Sequence, residues 1–585
     1  MENWVLKNRK ADFQMIMQQC GVSEVIARCL VNKGFEKPEE MERFLHPGLE
    51  QLREPLLMKD LQKACDILKD KLAKGRRIRI IGDYDVDGVV ATYVLYRTFT
   101  ELGARVDYEI PDRIKDGYGI NMNMVEAAHE AGIDTIVTCD NGIAALEQVE
   151  KAKAYGMTVI VTDHHSLVQS EEGEALIPAA DAVLNPQQPD CGYPFKGLCG
   201  AAVAYKLSQA LLEDICPDKS QAFAGELLSY VAIATVCDVM ELVDENRVIV
   251  RYGLELLKKT KNRGLLALMD VSSVDKEQLN VFHLGFVIGP CLNASGRLDT
   301  AKKGLELLLS DDEERAVRLA DEVKSLNELR KSMTAENVEK AIAIIEGSDI
   351  KDHKVLVVHL PDCHESIAGI IAGRLRERYH KPAIVLTDAE SGVKGSGRSI
   401  EAYNMYEELS KCRGLCLKMG GHPMAAGLSL IPENVDALRT ALNQNTSLTE
   451  EMLVPKVTID ILLPLGYITE ELVNELKLLE PFGKGNEKPL FAEKDLSIRS
   501  AFVIGKNGNG LRLRVKNRYG REMDAIYFGD VNEFFAYIGK IHGEEEARRM
   551  KTGRGTKATI SVTYFPKINE YNGFKNLQLM IQNYR

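Results

Sequence analysis

Five short runs rich in Val, Ile or Thr punctuate the first third of the chain: "RRIRIIG" (76–82), "ARVDYEI" (104–110), "DTIVTC" (134–139), "MTVIVT" (157–162) and "DAVLN" (181–185). Helical stretches such as "GVVATYVLYRTFTELG" and "GIAALEQVEKAKAYG" separate several of them. Few folds accept such an alternation, and it reads as a mostly parallel α/β sheet. In a sheet of that kind the C-terminal ends of the strands share one edge, and the site belongs there.

What the runs deliver to that edge is unusual. The first ends in "GDYDVDG", which sets Asp83, Asp85 and Asp87 at alternate positions before Gly88. The third ends in Asp140-Asn141-Gly142 and the fourth in Asp163-His164-His165. Asp238 follows the apolar stretch "VAIATVC", where a buried carboxylate needs a partner. Singly, each has a plain structural reading: a turn for Asp140, a helix N-cap for Asp163, hydrogen-bonded core for Asp238. Jointly these fail, because independent turns need not all place oxygen or imidazole ligands on one sheet edge.

The three alternating aspartates also match the first half of an EF-hand loop. Its twelfth position should be a bidentate Glu but is Val94, Val89 offers no oxygen, and the preceding segment is strand-like, so that reading is rejected. Oxygen-rich ligation with one or two imidazoles suits Mn²⁺ or Mg²⁺ better than a zinc thiolate site. Two hard cations sharing a carboxylate suit phosphoryl chemistry, where they activate water and stabilise an in-line displacement.

At 585 residues the chain is too long for a single core. The first residues, MENWVLKNRK, lack the apolar stretch of a signal peptide, and "LLSYVAIATVCDVMELV" is too short and too charged for a membrane span. Twelve cysteines without a CxxC pair suggest free thiols in a reducing cytoplasm. Net charge is −12, but residues 500–585 carry 15 Lys and Arg against 8 Asp and Glu, so a tail of +7 follows a body of −19. Binding of a polyanion follows local potential, and the basic tail permits it.

Beyond the alternating region, Ser310-Asp311-Asp312-Glu313 looks like a capping box opening a charged helix to Gly347, with apolar positions 316, 319, 320, 323, 326 and 329. "KVLVVHL", "ESIAGIIAGRLRERY" and "PAIVLTD" form a second α/β unit, and short strands with Gly/Asn turns beyond about 455 predict a small β-barrel.

Together these residues resemble the DHH phosphoesterase superfamily and, within it, the RecJ-type single-stranded-DNA-specific exonucleases. "GDYDVDG", "PDRIKDGYG", "CDNG", "TDHH" and "CDVMEL" follow the phosphoesterase motifs in order. "GPCLNASGRL", "HESIAGIIAGRL", "GSGRS", "GGHPMAAGL" and "LEPFGKGNEKPLF" follow the later ones. The resemblance implies an N-terminal helical segment (1–54), a catalytic DHH parallel-sheet domain (55–250), a helical connector (251–347), a DHHA1 α/β domain (348–452) and an OB-type barrel (453–585).

It also implies roles. Asp85 and Asp87 each hold one of two divalent cations, Mn²⁺ or Mg²⁺, with Asp140 bridging. His164 and Asp238 complete the second site, and Asp83 is a close supporting carboxylate in the metal set. His165 faces the scissile phosphate, and Asp163 orients an imidazole. Arg113, Arg297, Ser396, Arg398 and His422 bind substrate phosphates, the last three pinning a 5′ end. The implied activity is 5′→3′ hydrolysis of single-stranded DNA to 5′-mononucleotides, in recombination and repair. Implied partners are a RecQ-type helicase and a single-strand-binding protein; the expected state is a cytoplasmic monomer without membrane contact. A DHH oligoribonuclease or cyclic-dinucleotide phosphodiesterase is the enzymatic alternative, and a noncatalytic DNA-binding scaffold the other.

Two positions depart from the family pattern. Cys291 stands in "GPCLNASGR" where Arg is usual, and Gly510 in "GNGLRLRV" where His is common. The strand stays basic through Arg512, Arg514, Lys516 and Arg518; Tyr519, Tyr527 and Phe528 are candidate stacking residues, with core packing the plainer reading of any one of them.

Overall fold

The computed structural model describes residues 2–585 except 171–172, 391, 506–507, 554–555 and 572. Two compact units result: Leu49–Pro455, and Met1–Gly48 together with Lys456–Arg585.

In the larger unit all five expected runs are strands of one parallel sheet: Arg77–Ile81, Arg105–Glu109, Thr135–Cys139, Thr158–Thr162 and Ala182–Leu184. Arg77–Ile81 lies between Arg105–Glu109 on one side and Thr135–Cys139 on the other. Chain direction across the sheet therefore reverses between Arg77–Ile81 and Thr135–Cys139, and a crevice opens at such a switch point beyond the strand ends. The apolar residues of four of these strands are buried on both faces, whereas Val106 and Tyr108 of the edge strand Arg105–Glu109 are half-buried. The helix Pro217–Cys237 has the length and hydropathy to cross a membrane, but Leu227, Tyr230, Val231 and Ile233 pack into the core around the sheet.

The long helix runs Glu313–Glu346, 34 residues, about 50 Å at 1.5 Å per residue. Its cap is Asp312, whose side chain accepts from Arg315 N, rather than Ser310. The expected apolar stripe is buried only at Ala316, Leu319, Ala320 and Val323; Leu329 is exposed, and buried Asn327 takes the next inward position. A second sheet follows, with Leu356–His359 parallel to Ala383–Ala389 and then Gly392–Arg398, Ala425–Leu430 and Lys418–His422 antiparallel. All twelve cysteines are free thiols, most of them buried.

In the smaller unit Phe491–Ile504 pairs with both Gly510–Lys516 and Thr559–Tyr571, closing a ring that continues through Glu522–Phe528 and Phe574–Tyr584. The helices Val531–His542 and Glu544–Lys551 sit between two of its strands in sequence. The first residues form short helices, Phe13–Cys20, Glu24–Asn32 and Pro38–Leu45, within the helical segment expected over 1–54. They are preceded by the strand Asn3–Leu6, parallel to Lys456–Ile459, and Ile26, Leu30 and Leu45 share a core with Leu465, Leu476 and Leu496 of the barrel.

Candidate metal centre

The switch point carries the carboxylates. Asp85 caps the helix Val86–Glu101, its Oδ1 accepting from Gly88 N at 3.1 Å, and Asp87 falls in that helix's first turn. Gly88 lets the turn close tightly: a Cβ there would lie 2.5 Å from the Asp83 carbonyl oxygen. Asp140 leaves Thr135–Cys139 with φ at 61°, a left-handed conformation that costs energy outside Gly and Asn and marks functional turns. Asp238 closes the helix Pro217–Cys237 at its C-terminal end, where the macrodipole disfavours an anion. Its side chain keeps 28% exposure, so it is not the fully buried carboxylate expected.

Three overlapping groups have ligand atoms within 4.8 Å of one another: Asp83, Asp85 and Asp140; Asp87, His164 and Asp238; Asp140, His164 and His165. Asp140 belongs to two of them. His164 Nε2 lies 3.2 Å from Asp140, 3.6 Å from Asp87 and 3.7 Å from Asp238. Burial and the charges of Asp87, Asp85, Asp83 and Asp238 push the Asp140 carboxyl well above the carboxylate range. Burial and Asp85 carry Asp83 up to about 8. Burial lowers the His164 imidazole, which suits a neutral nitrogen ligand. Asp140 Oδ1 and His164 Nε2 are buried polar atoms without a hydrogen-bond partner. Uncompensated negative charge, orphaned donor atoms and oxygen-rich ligation fit divalent cations such as Mn²⁺ and Mg²⁺.

Backbone amides fix the ligands. Both Asp87 oxygens accept from the first turn of the helix Gly200–Ile215, at 2.6 Å from Gly200 N and 2.8 Å from Ala201 N. Each carboxylate oxygen retains a lone pair for a cation. Asp163 is fully buried and accepts from the backbone N–H groups of Ile143, His164 and His165 and from the His165 ring at 2.8 Å. It therefore orients His165, and that contact with the amides keeps its own carboxyl low despite desolvation. Burial opposes a charged His165, but the Asp163 contact outweighs it and lifts the imidazole to about 9. The Tyr118 hydroxyl donates to the Asp140 carbonyl at 2.8 Å and lies 3.0 Å from His165 Nδ1.

Beside the carboxylates lies a group of guanidiniums. Arg297 donates to the Ser366 carbonyl at 2.6 Å, and burial, with Arg113, Arg330 and Arg398 nearby, lowers it to about 10. Arg113 stacks 3.9 Å over the Tyr84 ring. Arg398 Nη1 donates to Ser396 Oγ at 3.1 Å and to the Gly397 carbonyl at 2.8 Å. A Cβ at Gly369 would fall 2.8 Å from both Ser396 Oγ and Arg398 Nη2, so glycine makes room for them. Arg398, Ala425 and His422 stand in one row across three adjacent strands, which puts Arg398 and exposed His422 on one face of the sheet, about 10 Å apart.

The structure thus gathers Asp83, Asp85, Asp87, Asp140, His164, His165 and Asp238 at one point, with Asp163 behind His165. Sequence reasoning missed the amides of Gly200 and Ala201, the Tyr118 hydroxyl and Arg330. Tyr118 sat in the quoted "DGYG"; the amides carry no residue-type signal at all.

In the barrel the basic strand is partly neutralised. Arg512 and Arg514 bond Asp524 at 2.8 and 3.0 Å, and Lys516 approaches Glu522 at 3.8 Å. Tyr527 packs among Phe534 and Tyr584, whereas Tyr519 and Phe528 are exposed. A Cβ at Gly510 would come within 3.2 Å of the Phe528 ring, a close approach that a His there would not allow unless the ring moved.

Three family models match the chain: the DHH family N-terminal domain over 77–235, the DHHA1 domain over 352–447 and the RecJ OB domain over 459–583. The chain is 36% identical over 587 residues to the single-stranded-DNA-specific exonuclease RecJ of Bacillus subtilis, covering 99% of this chain and 70% of that one. It is 35% identical over 579 residues to the enzyme of that name from Escherichia coli, covering 96% and 95%. The crystal structure of RecJ from Thermus thermophilus with Mn²⁺ matches with a TM-score of 0.80 at 27% identity, covering 100% of this chain and 79% of that one. The structure of that protein with Mg²⁺ matches at 0.76 and 26% identity, covering 100% and 78%.

Proposed function

The chain belongs to the RecJ family of single-stranded-DNA-specific exonucleases, and on that premise we propose that it removes 5′-mononucleotides one at a time from the 5′ end. Its cofactors are two divalent cations, Mn²⁺ or Mg²⁺. Asp83, Asp85 and Asp140 would hold one and Asp87, His164 and Asp238 the other. Cations bound there would activate water and neutralise charge building on the phosphate. The protein's own groups do the rest. His165, oriented by Asp163, donates to a phosphate oxygen, and the two amides of the helix Gly200–Ile215 hold Asp87 in register. Arg113 and Arg297 neutralise the backbone beside the scissile bond, while Ser396, Arg398 and His422 take the terminal 5′ phosphate.

The observation that carries this reading is two ligand groups set side by side, His164 Nε2 of one lying 3.2 Å from Asp140 Oδ1 of the other, with both atoms lacking a hydrogen-bond partner in the interior. Asp140→Ala is expected to abolish release of labelled mononucleotide from a 5′-labelled oligonucleotide with Mn²⁺, while a 3′-labelled strand stays full length. Undiminished release would sink the assignment, and a label released first from the 3′ end would reverse the polarity. The same reading extends to a cytoplasmic monomer acting in recombination and repair beside a RecQ-type helicase and a single-strand-binding protein. Support for that extension is the resemblance of the whole chain to enzymes of this kind.

A further inference from the structure

Arg330 lies on the long helix, outside every motif that defines the site. Basic side chains near it on that helix pair with carboxylates: Lys324 and Lys331 with Glu328, Lys340 with Glu336. Arg330 does not. Among the described residues its hydrogen bonds go to a neutral group, Nε and Nη2 both donating to Asn327 Oδ1 at 3.1 and 2.9 Å. Asn327 is itself buried, and its Nδ2 donates to Cys291 Sγ at 3.3 Å. That contact ties the long helix to the helix Gly289–Leu298, which carries Arg297, and Arg297 in turn reaches the Ser366 carbonyl of the helix Glu365–Tyr379. Ser396 and Arg398 lie against Gly369 of that last helix. Arg330 is therefore the third guanidinium of a chain of contacts that already holds Arg297 and Arg398.

With Arg113 they are four, and all share one state. Among the described residues Arg113, Arg297, Arg330 and Arg398 make no hydrogen bond or ion pair with a carboxylate; their partners are a ring, carbonyls, a hydroxyl and an amide. A partly buried cation without an anion is costly, and four together repel one another. The planar fork of Arg330 is braced along its Nε–Nη2 edge by Asn327, and the Nη1 N–H groups with the second N–H of Nη2 remain for a phosphate.

We propose that Arg330 is a phosphate-binding residue for the single strand, adding a backbone contact beyond those of Arg113, Arg297 and Arg398, with Asn327 as its positioning residue. This rests on the exonuclease reading above. Cys291 matters through Asn327: its sulfur accepts the amide that turns Asn327 Oδ1 towards the guanidinium.

The test uses the full chain with Mn²⁺ and an unstructured 5′-phosphorylated oligonucleotide. Arg330→Ala is expected to raise KM about tenfold, with kcat within about twofold, because one charge-assisted hydrogen-bonding group is lost from binding. The slope of log affinity against log salt should fall by about 0.7, the value of one phosphate contact on a single strand. Arg330→Lys keeps the charge and should restore the salt slope. Asn327→Asp supplies the missing carboxylate without changing shape, so it should raise KM as Arg330→Ala does while leaving the thermal midpoint equal or higher. A purely structural Arg330 would give the opposite pattern: unchanged KM and salt slope in Asn327→Asp, and a lowered midpoint with kcat and KM affected together in Arg330→Ala. Either result overturns the proposal. Wild-type protein that failed to degrade single strands would instead remove the exonuclease reading, so the two failures are distinguishable.

Discussion

Gly200 shows how a residue without a side chain can belong to a metal centre. A Cβ there would lie 2.5 Å from Asp140 Oδ1 and 2.8 Å from Asp140 Cα, and the Gly200 amide is the closer of the two that hold Asp87. Gly200→Ala must therefore displace the Asp140 carboxylate, which belongs to two of the three ligand groups. We expect Mn²⁺ affinity to fall about 10- to 100-fold, the usual cost of disturbing a group that orients a ligand. Calorimetric titration measures it, with circular dichroism as the check on folding; wild-type affinity would contradict the geometry. Asp83, Asp85, Asp87, Asp140 and His164 were legible in the sequence because their side chains are the chemistry, and strand ends announce where they go; Asp238, at a helix end, was legible only from its place after an apolar stretch. Gly200 and Ala201 were not, because a peptide N–H has no residue-type signature. Asp163 was legible as a member of the site, but only distances separate the part that orients His165 from one that would bind a cation.

Among the elements, strands were read from β-branched runs and their neighbours in sequence, yet their order in the sheet depends on which crossovers pack, and no local pattern reports it. That order is what sets Asp83–Asp87 beside Asp140 across the switch point. The long helix illustrates the other failure. Ser310 and Asp312 both satisfy the cap pattern, and only the backbone chose Asp312; the inward stripe then stopped at Val323 because Asn327 occupies the position facing Cys291. An interior pair tying helices together was equally unreadable. Lys206, on Gly200–Ile215, and Glu245, on Asp244–Leu257, are fully buried with Nζ and Oε1 2.8 Å apart. Glu245 also accepts from Arg53 N at 2.7 Å and from the Tyr193 hydroxyl at 2.6 Å, and Lys206 donates to the Arg53 carbonyl at 2.7 Å. Removing one partner leaves an interior charge uncompensated, so Glu245→Ala should destabilise the larger unit by about 3–5 kcal/mol. Denaturant unfolding followed by a probe in that unit measures this. Lys206→Met combined with Glu245→Leu should cost less than the single change; a double variant as unstable as the single one would mean that the loss comes from packing rather than charge.

At the scale of the whole molecule, the chain's first residues belong to its last domain. Asn3–Leu6 pairs with Lys456–Ile459 through contacts more than four hundred residues apart in sequence, which propensity and periodicity do not encode. The side chains say why the pairing is needed. Ile26 and Leu30 are fully buried against barrel residues, the Ser23 amide donates to Glu475 at 2.6 Å, and Asn32 Nδ2 to the Asp460 carbonyl at 2.8 Å. Deleting residues 1–48 would expose that apolar surface and leave these acceptors to water. Fully burying each such side chain is worth about 1.5–3 kcal/mol, so losing several exceeds the margin of an ordinary domain. The larger unit, Leu49–Pro455, has its own cores around both sheets and all the residues of the candidate metal centre. The deletion should therefore uncouple the two. Limited proteolysis read by mass spectrometry should find cleavage throughout 456–585 at protease levels that leave the full chain intact, with 49–455 resistant. Hydrolysis of a small chromogenic phosphodiester with Mn²⁺ should persist, while degradation of long single strands falls with the loss of the basic barrel. Equal resistance of residues 456–585 with and without the first 48 would show that the barrel stands alone and that the shared core contributes little to it.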